Sequence, residues 1–306
     1  MSTRREFLAT LGSSAIVSIG AVTPPAFLLK AAAAEAKEEP ETVLVIIQLS
    51  GGNDGLNTVV PYSDDTYRRD RPALAIGADR VLKIDDECGF HPSLRGMADL
   101  FESGKLAIVH GVGYPNPNRS HFESMDIWHT CQRKGSPRST GWLGRYLDAS
   151  QTGSGGDAPA LHLGGDKQPL ALAAEQVRSP TIGSLDRFRL HDGGDTQLRE
   201  TIEELVGQSR EGGGDLLRFI QTSSKAALKA GRRIEAARRG YQTPIDYPQN
   251  RLAENLHTVA QLIDAGLGTR VYYLELAGFD THSQQAGAHA ALLNELGGGV
   301  SAFLQD

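Results

Sequence analysis

Short apolar runs alternate with longer stretches of helical period along this chain. Val43–Leu49, Lys105–Gly113, Ala158–Gly165 and Val271–Ala277 read as buried strands, and glycines follow each of them. Between them, 93–103, 121–131, 141–149 and 250–266 carry the spacing of amphipathic helices, and a last helical pattern runs to Asp306. The first run is β-branched and apolar on both faces, which predicts a central strand covered by helices on either side. Strands alternating with helices predict an α/β fold with a mostly parallel sheet. Residues 190–240 are polar and helical in pattern with glycine breaks, and are expected to form a helical insertion.

The N-terminus changes the picture. Arg4 and Arg5 precede Phe7 and Leu8, a mildly apolar Gly/Ser-rich segment follows, and alanines at 32–36 offer small-residue cleavage sites. Residues 1–36 are therefore read as a twin-arginine signal peptide, with the translocation machinery as partner and a periplasmic or extracellular destination. Pro24 and Pro25 break the helix that an uncleaved anchor would need, so no stable membrane span is expected after cleavage. Residues 37–306 are left as one α/β domain.

Composition is that of an ordinary globular protein, 40% hydrophobic and 22% charged. The net charge is −6 and no basic block stands out, which argues against nucleic acid as a partner. The arginine-rich stretch Lys229–Arg239 reads as one solvated helix face. An oxidising compartment permits Cys88 and Cys131 to pair, but their spacing decides nothing.

In parallel sheets, ligands collect at the carboxyl ends of the strands. Three segments at such ends carry polar residues of catalytic type. Asn53 and Asp54 follow the first strand in Ser-Gly-Gly-Asn-Asp-Gly, where glycines let backbone approach a ligand. Arg119, Ser120 and His121 follow the second, and Asp280 and His282 follow the last. A carboxylate and an imidazole are ligand types for zinc and similar divalent ions. Several carboxylates converging on one edge would repel one another without a cation.

Ser120 has two readings that do not exclude each other. Ser-His-Phe-Glu is a capping box, with Ser120 and Glu123 exchanging hydrogen bonds at a helix start. The same position faces orphan backbone N–H groups that favour an anion, and an adjacent metal would turn the hydroxyl into a nucleophile. Arg119 is either a clamp for an anionic substrate or a surface residue. A metal-free Ser–His esterase is disfavoured, because no Gly-x-Ser-x-Gly elbow occurs. The other histidines, at 91, 110, 129, 162, 191, 257 and 289, have no ligand spacing; His289, on the helix after Asp280, is the one to watch. Trp128 and Trp142 are expected to anchor their helices in the core.

Four segments together carry a family resemblance. The twin-arginine start, Leu49–Tyr62, Gly113–Thr130 and Gly278–Leu296 resemble, in order, the domain of unknown function 1501 family. That family consists of exported bacterial proteins placed in the alkaline phosphatase-like superfamily, with sulfatases among the distant relatives. The resemblance implies an alkaline phosphatase-like fold and a two-metal hydrolase site. It implies Asp54 as ligand of one metal, Asp280 and His282 as ligands of the other, and Ser120 as the nucleophile. Asn53, Arg119 and His121 would then face the substrate, an anionic small-molecule or glycan ester of phosphate or sulfate. The cofactor would be a divalent ion (Zn, Mn, Mg or Ca). Relatives continue with Ser-Glu-Phe-Gly-Arg-like and Asp-His-Gly-like segments that supply further ligands. Neither occurs here, so the resemblance also predicts a C-terminally shortened chain. The alternative is a non-catalytic envelope or binding protein that keeps the fold.

Overall fold

The computed structural model of the chain describes residues 42–150, 159–182 and 240–306, apart from 134, 137, 166, 178, 180 and 267. The signal segment 1–36 and the expected insertion 190–240 lie outside the described residues, except Gly240. So does the basic stretch Lys229–Arg239.

Four strands form a parallel sheet: β1 (Leu44–Leu49), β5 (Ala160–Leu163), β6 (Thr181–Ile182) and β7 (Val271–Leu276), in the order β1-β7-β5-β6. Val271 lies opposite Leu44 on one side and Ala160 on the other, so β7 is flanked by two strands. Its Val-Tyr-Tyr-Leu-Glu-Leu run is buried at every position but Glu275, as a strand covered on both faces must be.

Alternation along the strands sorts the core into two layers. On one face, Leu161, Leu163, Tyr272, Leu274 and Leu276 pack with two long helices, α6 (Arg251–Asp264) and α7 (Gln285–Gln305), and with α3 (Arg95–Glu102). On the other, Ala160, Val271 and Tyr273 meet α5 (Trp142–Ala149) and a 3₁₀ turn at Leu170–Leu172. Helix α6 shows how sequence makes such a layer. Asn250 caps it by accepting the Ala253 N–H at 2.9 Å, and Leu252, Leu256, Val259 and Leu262 recur on one stripe facing the sheet.

A second, antiparallel sheet of two-residue strands, β2 (Val59–Val60), β3 (Leu82–Lys83) and β4 (Gly89–Phe90), follows β1 in the order β2-β4-β3. With the short helices α1 (Gly55–Thr58) and α2 (Asp65–Asp70) it encloses a small core of Val60, Tyr62, Tyr67, Ile76 and Val81. Helix α4 (His121–Thr130) carries the Ser-His segment.

Three expectations are corrected. Lys105–Gly113 is not a strand. Only Leu106 and Ile108 pack on the core, while Val109 and Val112 are 77% and 61% exposed. An apolar run becomes a strand only where a neighbour satisfies its backbone, and Gly111 turns this one at φ +69°. Strand β1 is an edge strand among the described residues, and half-buried rather than central. Trp128 and Trp142 are partly exposed and are not buried anchors of the core. Both cysteine thiols are free, with Cys131 exposed, and burial pushes the Cys88 thiol up to about 11. Among the described residues no helix is long and apolar enough to cross a membrane.

Candidate functional site

The ends of β1 and β7 stay hydrogen-bonded beyond the strands. The Ser50 N–H donates to the Leu276 carbonyl at 2.9 Å, and the Phe279 N–H donates to the Ser50 carbonyl at 3.1 Å. This brings Gly51 (φ +104°) so close that a Cβ there would stand 2.6 Å from the Asp280 nitrogen. A Cβ on Gly52 (φ +89°) would lie 3.3 Å from the His121 ring. The two glycines thus let the β1 loop, the β7 loop and the start of α4 meet.

Asp280 stands at that meeting point. Its Oδ1 lies 3.0 Å from His282 Nε2 and 3.7 Å from His121 Nε2, and all three side chains reach solvent. His282 and Gln284 adopt left-handed backbone, at φ +41° and +53°. For non-glycine residues this costs on the order of 1–2 kcal/mol each, the kind of strain found where side chains are aimed at a site.

Ser120 caps α4, although its Oγ accepts the Glu123 N–H at a long 3.5 Å. The Glu123 carboxylate expected to complete a capping box is gripped by the two terminal guanidinium nitrogens of Arg138, at 2.7 and 3.1 Å. Arg119 is exposed. The far half of α4 is braced to the sheet, where Gln48 Oε1 meets His129 Nε2 at 2.5 Å and accepts the Tyr273 hydroxyl.

Asp54 lies in different company. Its side chain is 10% exposed, and its Oδ1 accepts the Asn57 N–H at 3.3 Å to cap α1. Its Oδ2 accepts from Arg71 Nη1 at 2.6 Å and from Gln285 Nε2 at 2.5 Å. Next to it, Asn53 Oδ1 accepts the Thr58 hydroxyl at 3.0 Å and lies 2.9 Å from His289 Nε2. These groups line an open cleft of about 880 Å3, together with Leu56, Val109, Val112 and Thr281.

Arg71 and Gln285 were not singled out by the sequence, whereas His289 was the one further histidine it marked. Gln285 and His289 stand four apart on α7 and share a face, a spacing that could have paired them. Arg71 sits in a loop with no such signal.

His91 and His289 are buried with their rings 5.8 Å apart, edge to face. Burial lowers the His91 pKa from 6.5 to about 4, with His289 and Arg80 adding to the effect. Burial likewise lowers His289. Unfolding frees both imidazoles to bind protons, so each contributes less as the pH falls; the His91 contribution is full above pH 6.5 and falls as the pH drops toward about 4. Denaturant melts should show wild type losing about 2–3 kcal/mol over that window on account of His91. His91→Asn should flatten the dependence; an unchanged profile would contradict the neutral, buried imidazole.

The family now follows from comparison with known proteins. Residues 41–306 match the family model described as Protein of unknown function (DUF1501). The chain belongs to the DUF1501 family. No curated protein and no solved structure matches it. This DUF1501 member has a mixed α/β frame with a parallel sheet.

The superfamily resemblance implies metal ions, and the donors can be tested against that. Among the described residues, no group of three or more His, Cys, Asp or Glu side chains is arranged to hold a metal ion, neither Asp54 with Asp280 and His282 nor Asp280 with His282 and His121. The donor chemistry at Asp280 does suit a cation. One carboxylate oxygen lies within 4 Å of two exposed imidazole nitrogens, and carboxylate and imidazole are donor types that divalent ions take. Asp54 suits one less well, since Arg71 already neutralises it.

Proposed function

We propose that this DUF1501 protein is an exported, cation-dependent hydrolase of phosphate or sulfate esters, built on an alkaline phosphatase-like fold. The observation that carries the reading is the convergence of Asp280, His282 and His121 at the carboxyl edge of the sheet, directly beside Ser120 in the chain. Asp280 and His282 would hold a divalent ion, with His121 as a third donor, and imidazole ligands favour Zn over Mn, Mg or Ca. Such an ion supplies charge to offset the ester oxygens and to lower the pKa of a hydroxyl.

This chain's own residues supply the rest. The N-terminal N–H groups of the ten-residue α4 point at the Ser120 position and favour an anion there. Arg119 and Asn53 are the substrate contacts of this reading. The Ser120 oxygen would form a bond to phosphorus as the bond to the leaving alcohol breaks, the serine proton passing to that alcohol. Water would then cleave the seryl ester. Phosphate is favoured over sulfate, because Ser120 precedes His-Phe rather than the Pro-containing context of modified sulfatase residues. Arg4 and Arg5 support export by the twin-arginine route to the periplasm or beyond.

The test is turnover of p-nitrophenyl phosphate and sulfate by protein loaded with Zn or Mn. Ser120→Ala should lower kcat by about a thousandfold or more, with the fold unchanged. Undiminished hydrolysis in that variant would refute the assignment. A metal-loaded wild type that hydrolyses neither ester would favour the second reading, a non-catalytic binding protein. The pairing of Asp54 with Arg71, which leaves the metal edge one carboxylate short, is the observation behind it.

A further inference from the structure

We propose that the cleft beside Asp280 binds a neutral vicinal diol, the hydroxyl-bearing part of a sugar or a cyclitol. That this group also carries the reacting ester rests on the hydrolase reading; the binding itself does not. Size comes first. The cleft holds about 880 Å3, within the roughly 300–1,000 Å3 typical of sites for organic ligands and far more than an inorganic anion fills.

Charge narrows the ligand. The cleft is lined by Arg71, Asp54 and Asp70, and each is paired: Arg71 with Asp54 at 2.6 Å, Asp70 with Arg69 at 2.9 Å. A second anion would meet Asp54 without an unpaired cation to receive it, and a cation would meet Arg71. A neutral group carrying donors and acceptors side by side suits both members of the pair. One hydroxyl can donate to the carboxylate while its neighbour accepts from the guanidinium, which among the described residues bonds through Nη1 and leaves Nε and Nη2 to donate.

The remaining floor has the same dual character. Among the described residues, the Asn53 amide nitrogen, the Gln285 carbonyl oxygen and the Thr281 hydroxyl have no partner, although Asn53 and Gln285 are fixed through their other atoms. They are therefore oriented without being used up. Leu56, Val109 and Val112 line the cleft and are about half to three-quarters exposed, offering apolar surface to the C–H face of a ring. A peptide would be expected to dock along an unpaired strand edge; here the polar floor is side-chain amides, a hydroxyl and an ion pair.

Saturation-transfer NMR on the whole chain tests this with glucose, galactose, cellobiose, myo-inositol and dialanine. We expect transfer to at least one polyol, with the sugars and myo-inositol distinguishing the two sources. Gln285→Leu and Thr281→Val should each weaken binding about tenfold or more. No transfer to any polyol, transfer to dialanine alone, or wild-type binding by both cleft variants would overturn the proposal. Loss of ester hydrolysis in Ser120→Ala with unchanged polyol binding would separate this site from the hydrolase reading.

Discussion

Asp54→Ala should lower the free energy of unfolding by about 3 kcal/mol or more, because it strands the Arg71 guanidinium. Arg71 is about three-quarters buried, and the deleted carboxylate holds it at 2.6 Å. The change also removes the α1 cap and a 2.5 Å bond from Gln285. A buried charge without its partner costs more than the pair contributes. Adding Arg71→Leu should therefore recover part of the loss. Chemical denaturation of both variants measures this, and a loss below about 1 kcal/mol would contradict the reading of Asp54 as Arg71's partner. The same variant bears on the role that the superfamily resemblance implies. If Asp54 belongs to Arg71, metal content is unaffected; if it ligates an ion, content falls with stability.

The second large effect is expected at Gly51. A Cβ there would lie 2.6 Å from the Asp280 nitrogen and 3.2 Å from the Phe279 carbonyl carbon, both backbone atoms that cannot swing aside. The backbone at φ +104° adds its own penalty for any L side chain. Gly51→Ala should cost about 2–4 kcal/mol and push Asp280 away from His282, so that folded protein loses affinity for metal. Gly55→Ala is the control, since nothing lies within 4 Å of its added carbon. Equal stability of the two variants would sink the idea that Gly51 exists for close approach.

Both effects arise where the sequence was legible in part. Strand β7 could be read because its apolar run is buried on both faces, and α6 because its leucines keep a helical period. Lys105–Gly113 misled because strand formation depends on a partner's hydrogen bonds, which composition does not encode. The small sheet β2-β4-β3 was missed because two-residue strands are too short to show alternation. At the site, the glycines and polar residues at strand ends marked Asp54, His121, Asp280 and His282 as candidates. What they could not show is which of them meet. Asp54 goes to Arg71, seventeen residues on in a loop, and His121 joins Asp280 instead. Such pairings depend on tertiary approach, here set by Gly51 and Gly52.

The most direct test of the proposed cation site is metal content by mass spectrometry on purified, folded protein, comparing wild type with Asp280→Ala. The account predicts about one divalent ion per chain in wild type and its loss in the variant. A folded wild type that binds no Zn or Mn when supplied, or an Asp280→Ala variant that retains the ion, would contradict it.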